Sequence, residues 1–214
     1  MTTKYRNLVA MTGVLALAAM LAVSLHAQAG RRLTDPNVAS EADLLTLPHM
    51  TPAIVKNLVA KRPFMSILDL NAFLLAQKLT PEQAAALYRK AFVQVNLNTG
   101  TREEFVLIPG VASRMSREFV EYRPWKNWTQ FDKEIAKYVG QPETDRLKQY
   151  VFIPVNLNTA SDDAILSIPG TGPRMVKEFK EYRPWKSKEQ FDKEIGKYVG
   201  AKEAARLWRY VVIQ

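Results

Sequence analysis

Ile168-Pro169-Gly170-Thr171-Gly172-Pro173-Arg174 lies between an apolar run and a basic run with helical spacing, and the reading of this turn decides the fold. A Gly-x-Gly turn that feeds a helix leaves several backbone N–H groups pointing outward at the helix start, with no side chain to obstruct approach. Such a start is an anion site. Arg174 and Lys177 follow within the first helical turn and place positive charge beside those amides.

Outward from the turn, the chain copies itself. Val95-Asn96-Leu97-Asn98-Thr99 returns as Val155-Asn156-Leu157-Asn158-Thr159, and Ile108-Pro109-Gly110, Arg114-Met115, Glu121-Tyr122-Arg123-Pro124-Trp125-Lys126, Gln130-Phe131-Asp132-Lys133-Glu134-Ile135 and Lys137-Tyr138-Val139-Gly140 all return in the same register without a gap. A fainter copy precedes them, with Leu47-Pro48-His49 matching the Ile-Pro-Gly turn and Lys61-Arg62-Pro63-Phe64 matching Tyr-Arg-Pro-Trp. A short fixed period signals repeated supersecondary units. The expected organisation is three modules, 37–94, 95–154 and 155–214, behind a leader at 1–29.

Within the last module the pattern predicts four short helices, so the expected fold class is all-α. Thr159 is the expected N-cap of the first helix, with Asp162 three residues on, and Ala164, Ile165 and Ile168 form its apolar side. Pro169-Gly170 ends it. The second helix is expected from Arg174 to about Tyr182, with Met175, Phe179 and Tyr182 on one stripe. Pro184 stops it, because proline lacks the donor and clashes with the preceding turn. Trp185 then plugs the core. A third helix is expected from Lys188 to Tyr198, burying Phe191 and Ile195, and a fourth from Lys202 to Val211, burying Leu207, Tyr210 and Val211. Val155 and Leu157 read as extended linker residues tucked against the module they introduce. Arg123 and Arg183 read as helix-end residues, placed at the negative pole of the dipole.

The run "V-N-L-N-T-A … I-P-G-x-G-P … E-Y-R … F … V-G" resembles the helix-hairpin-helix family, in particular the paired module of ComEA-type competence DNA receptors. The resemblance covers nearly all of 95–214 and, weakly, 37–94. It implies two pseudo-symmetric hairpins per module, whose Gly-rich turns present backbone amides to duplex phosphates without reading sequence. By resemblance Gly170, Thr171, Gly172, Arg174 and Lys177 belong to the first hairpin of the last module, and Gly200, Lys202 and Arg206 to its second. Gly110 and Arg114 are their counterparts in the middle module.

The copies depart from the pattern. The turn after Val199 is Gly200-Ala201-Lys202, shorter in glycine than the family's usual second hairpin. The middle turn has Ala112 where the second glycine belongs, and a methyl there is expected to obstruct backbone approach and disfavour positive φ. The first module has neither glycine and is expected to act as a spacer or docking unit. Lys202, Arg206 and Arg209 recur at helical spacing and are expected to share one face, either flanking the turns or forming a solvated face laced with glutamates. Trp125, Trp185, Phe131 and Phe191 recur and read as core. Trp128 and Trp208 lack a counterpart in the other copy and are the candidates for exposed contacts.

Composition bounds the chemistry. The 214-residue chain is 47% hydrophobic, carries a net charge of +9 and has no cysteine, which excludes disulfides and thiolate chemistry and favours an acidic partner. His49 has no second histidine or cysteine to join it in a metal site. Asp162-Asp163 and Glu103-Glu104 stand at helix starts, where acids are favoured electrostatically, and are read as capping. No nucleophile paired with a base, P-loop or Rossmann fingerprint occurs, so no enzymatic activity, cofactor or small-molecule substrate is expected. Lys4 and Arg6, an apolar run and Ala27-Gln28-Ala29 read as a secretory signal cleaved after Ala29, or else as an uncleaved membrane anchor. The expected location is periplasmic or secreted, or anchored and facing outside. Two functions fit: an exported, sequence-nonspecific binder of double-stranded DNA with a competence-like role, favoured by the intact Gly170 turn and the charge, or an extracytoplasmic protein-interaction scaffold, favoured by the degraded turns.

Overall fold

The computed structural model describes residues 33–214, and Leu33–Gln214 forms one compact unit. The leader expected at 1–29 lies outside the described residues, and no helix among them is long and apolar enough to cross a membrane. The fold is mainly helical. The first repeat carries α1 (Glu41–Leu45), α2 (Pro52–Lys61), α3 (Ile67–Ala76) and α4 (Pro81–Tyr88). The second carries β1 (Val95–Asn96), α5 (Arg102–Phe105), α6 (Ser113–Glu121), α7 (Trp128–Leu147) and β2 (Val151–Phe152). The third carries β3 (Val155–Asn156), α8 (Asp162–Leu166), α9 (Pro173–Glu181), α10 (Lys188–Val199), α11 (Ala201–Trp208) and β4 (Val211–Val212).

Each repeat is closed by pairing its first residues with its last. β1 runs parallel to β2 with Val95 opposite Val151, and β3 parallel to β4 with Val155 opposite Val211. The first repeat has a single parallel bridge, Thr34 to Ala91. Val155 is therefore a strand residue rather than a linker, and Val211 leaves the fourth helix to pair with it. Val-rich ends favour this extended geometry.

A second closure recurs three times. Asn98 Oδ1 accepts from Trp125 N–H (2.6 Å) while its amide donates to Trp125 O (2.9 Å); Asn37 does the same with Phe64 and Asn158 with Trp185. Arg183 donates from Nε to Leu157 O (2.7 Å) and from Nη2 to Ala160 O (2.7 Å), and Arg62 and Arg123 repeat the pattern. These arginines stand at the end of the second helix of each repeat, as expected, and also pin that end to the entry segment. The Arg–Pro bond after each is cis. The adjacent Trp125 and Trp185 are buried and donate from Nε1 to Phe119 O and Phe179 O, so the indole fills the core with its one polar atom satisfied.

Most helix starts carry a side-chain cap. Ser161, not Thr159, caps α8, accepting from Ala164 N–H. Thr159 lies in the preceding turn. The first and second repeats share one continuous apolar core from Leu44 to Val151, and the third has its own, which takes in Phe152 from β2. Phe92 stacks edge-on against Tyr150 (5.1 Å between centroids), and one repeat later Phe152 packs on Tyr210 (4.4 Å), so the same aromatic pair joins successive repeats. The third repeat also returns to the first: Arg209 Nη2 donates to Gln94 O (3.0 Å), and Val38 packs on the Gly170 turn.

Candidate nucleic-acid interface

The backbone of the three equivalent turns is the same. Gly110 and Gly170 adopt φ 85° and 81°, and His49 takes the same left-handed conformation at φ 64°. The two residues on from each are extended instead, Ala112 at φ −99° and Gly172 at φ −135°. The expectation that Ala112 suffers at the middle turn through positive φ is thus corrected, because that position is extended. Gly172 matters for its openness: a β-carbon there would meet nothing within 4 Å.

The helix starts that follow these turns divide the repeats. In the first repeat Thr51 Oγ1 accepts from Ile54 N–H and caps α2, and Thr80 Oγ1 accepts from Gln83 N–H and caps α4. In the third repeat the equivalent starts have no side-chain cap, at Gly172 for α9 and at Gly200 for α11. In the second, Ala112 leaves α6 uncapped. Gly140, at φ 75°, breaks α7 where the fourth helix begins, and it has no side chain with which to cap. All the other helices described carry a Ser, Thr or Asn cap. An uncapped start exposes its first N–H groups and the positive end of the helix dipole. Four such starts therefore lie in residues 95–214, and the first repeat has capped both of its own.

Side chains around these starts sort differently from the sequence expectation. Arg174, Lys177 and Lys202 are exposed, as is Arg114 in the second repeat. Arg206 is not on their face: it is fully buried, donates from Nη2 to Pro169 O (2.7 Å) and forms a two-point pair with Glu203 at 2.8 and 2.6 Å. Its helix turns it toward the Gly170 turn, so it fixes that turn to α11 and is not among the exposed cations. Arg146 repeats this with Pro109 and Glu143. Thr171 also faces inward, its hydroxyl within hydrogen-bonding distance of Ile165 O and Ile168 O. Gly170 is covered on one side by Val38. Arg209 is half-buried at the contact with Gln94. Trp128 is exposed along one edge and Trp208 half-buried, and each packs on a core phenylalanine.

Sequence reasoning missed the tyrosines. The Arg174 guanidinium lies over the Tyr198 ring, 5.3 Å from its centroid, and Tyr198 is two residues before Gly200. Arg174 thereby reaches from the start of α9 toward the start of α11. Arg114 lies over Tyr138 in the same way at 5.4 Å. Tyr198 and Tyr182 share a hydroxyl–hydroxyl hydrogen bond of 3.0 Å, as do Tyr138 and Tyr122. That bond, with the Glu178 carboxylate nearby, raises the Tyr198 pKa above the usual tyrosine value. Lys197 lies over Tyr182 at 4.6 Å, and its pKa is raised by its pairing with Glu194 (2.5 Å). In the first repeat Asn57 and Gln77 make an amide–amide bond in place of the carboxylate and tyrosine. The recurrence of Lys-Tyr-Val-Gly at both second turns was the available signal.

A shallow groove of about 520 Å³ runs along α9, lined by Asp162, Pro173, Val176, Lys177, Lys180 and Glu181. The Lys180–Asp162 pair (2.7 Å) and Glu181 give it mixed charge. No protein-family model, curated protein or solved structure matches the chain.

Proposed function

We propose that this protein binds double-stranded DNA without sequence preference, through two paired helix-hairpin-helix modules at 95–154 and 155–214. The uncapped helix starts at Ala112, Gly140, Gly172 and Gly200 donate backbone N–H groups to phosphates. Arg114, Arg174, Lys177 and Lys202 add charge. The module at 37–94 supports them and takes no phosphate. With the leader read as an export signal, the binding occurs outside the cytoplasm, in a competence-like setting.

The observation that carries this reading is the contrast in capping. A cap is worth about 1 kcal/mol to a helix, so leaving four equivalent starts bare forgoes stability at the positions where phosphate would replace the cap. The first repeat has the same fold and both caps, so the bare starts are not a demand of the fold.

A mobility-shift titration with residues 33–214 and duplexes of unrelated sequence tests the proposal. Affinity should be alike across sequences and fall with salt, with a log–log slope of about −3.5 if each bare start holds one phosphate. Gly172→Asp should weaken binding at least tenfold with helical content retained, because an aspartate there caps α9 itself and repels phosphate. No complex at micromolar protein in low salt, with a discrete exported protein recovered on the same surface, would replace DNA binding with the scaffold reading.

A further inference from the structure

We infer that Tyr138 and Tyr198 are positioning residues, whose rings hold Arg114 and Arg174 between the two bare helix starts of each module and so present a preorganised guanidinium to a phosphate. The inference rests on the DNA-binding reading and deepens it.

An arginine near a helix start has several rotatable bonds, and binding phosphate through it ordinarily costs the ordering of that chain. Here the guanidinium already rests on a ring face at 5.3 Å in one module and 5.4 Å in the other. Neither arginine has a carboxylate partner among the described ion pairs, so the donors of its planar fork are not committed to a neighbouring acid. The ring itself is fixed. Tyr198 is tied through its hydroxyl to Tyr182, and Tyr182 packs on the buried Trp185 at 5.8 Å between centroids. Tyr138, Tyr122 and Trp125 form the same chain, again at 5.8 Å. Glu178 and Glu118 are buried beside these tyrosines, and Glu178 Oε2 has no hydrogen-bond partner among the described residues. Lys197 completes the arrangement at 5.4 Å from the Tyr198 ring, held by Glu194. The first repeat, with both helix starts capped, has Gln77 and Asn57 in place of the platform. Platform and bare starts are thus present together in two repeats and absent together in one.

The test is a double-mutant cycle on duplex affinity in residues 33–214. Tyr198→Leu combined with Tyr138→Leu removes both ring faces; a cation over an exposed ring is worth roughly a factor of three, so the pair should weaken binding about tenfold. Tyr198→Phe with Tyr138→Phe keeps the faces and should stay within about twofold of the parent. In a background of Arg174→Ala with Arg114→Ala, the two leucine changes should have no further effect. Equal losses in the leucine and phenylalanine pairs, or a full tenfold loss in the alanine background, would overturn the platform while leaving DNA binding in place. An unmodified chain that binds no duplex overturns the DNA reading itself. Thermal melting of each variant identifies a loss caused by unfolding. Ring-current shifts of the Arg174 side-chain protons in the free protein supply a readout without DNA: they should persist in Tyr198→Phe and vanish in Tyr198→Leu, and their absence from the parent would remove the platform.

Discussion

Val38 of the first repeat rests against Gly170 of the third: a β-carbon on Gly170 would come 2.8 Å from Val38 Cγ1 and 3.0 Å from Arg206 Nη2. The turn that most resembles a phosphate cradle is therefore also a joint between the ends of the chain. Gly170→Ala has to bear left-handed φ for a residue with a side chain and also displace Val38, so it should destabilise the fold by about 2 kcal/mol. Gly110→Ala has the same φ penalty, but its nearest neighbour is the end of the flexible Arg146 side chain at 3.2 Å. It should cost about 1 kcal/mol. Denaturant midpoints of the two variants, and of Gly170→Ala with Val38→Ala, measure this; equal losses at both glycines would mean that the Val38 contact carries no weight.

Arg206 and Arg174 separate a structural cation from a proposed phosphate ligand. Arg206→Ala empties a fully buried position and takes the partner from Pro169 O and from the half-exposed Glu203 carboxylate, and should cost roughly 2 kcal/mol. At temperatures where the variant is folded, the salt slope of duplex binding should match the parent. Arg174→Ala should do the reverse, lowering the slope magnitude by about one while leaving the melting temperature within a degree or two. A reduced slope for Arg206→Ala would return it to the binding face.

Helix type, repeat number and the aromatic core were legible because they rest on periodicity, which a single chain displays. Trp185, Phe179 and Phe191 announce themselves by spacing and recurrence. Two things were not legible. The role of Arg206 depends on which way α11 is rotated, and its spacing with Lys202 and Arg209 fits an exposed face as well as a buried one. The caps at Thr51 and Thr80 depend on φ and ψ at single residues, so the most informative contrast between repeats lay in positions that resemble ordinary loop threonines. His49 shows another limit: the sequence matches it to the glycine of the turn but does not reveal that a histidine there adopts the left-handed conformation itself. That conformation carries a local cost for a residue with a side chain.

Ala112 offers a test in which stability and binding move in opposite directions. It stands at the N-cap of α6 with extended backbone, the geometry that a serine cap uses. Ala112→Ser should raise stability by about 1 kcal/mol. The same hydroxyl would occupy an N–H that the proposed binding assigns to phosphate, so duplex affinity should fall severalfold. Paired melting and mobility-shift measurements decide the matter; a variant that is more stable and binds DNA unchanged would show that this start takes no phosphate.

Asp35 gives the fold a pH signature. It accepts from Asn37 N–H through Oδ1 (2.8 Å), whereas Oδ2 is buried without a partner, and burial raises its pKa above the ordinary 3.8 despite Arg206, Arg209 and Arg62 nearby. The neighbouring Tyr210 is pushed up to about 12, mainly by burial and then by Asp35. A carboxyl with a raised folded pKa contributes stability that is full below its unfolded pKa and is lost as pH rises through the folded one. Asp35→Asn resembles the protonated form, so at pH 7 it should be more stable than the parent. The gap should close as pH falls toward 4. Melting temperatures of both proteins at several pH values test this, and a variant less stable than the parent at pH 7 would mean that the arginines outweigh the burial.

Trp128 and Trp208 read as unmatched, yet each covers the equivalent phenylalanine. Trp128, at the start of α7, packs edge-on against Phe131 at 5.6 Å; Trp208, at the end of α11, packs on Phe191 at 5.2 Å. The sites they vacate hold lysines. Lys148 stands where Trp208 does and pairs with Asp132, and Lys188 stands where Trp128 does and pairs with Asp192. One indole and one ammonium thus serve each repeat from either helix. Trp208→Lys alone should cost about 2 kcal/mol, since it uncovers Phe191 and sets a second cation near Lys188. Adding Lys188→Trp reproduces the second repeat's arrangement and should recover more than half of that loss. A double variant no more stable than Trp208→Lys alone would show that the two positions are not interchangeable, and that the indole at 208 is held by contacts with Phe191 that position 188 cannot supply.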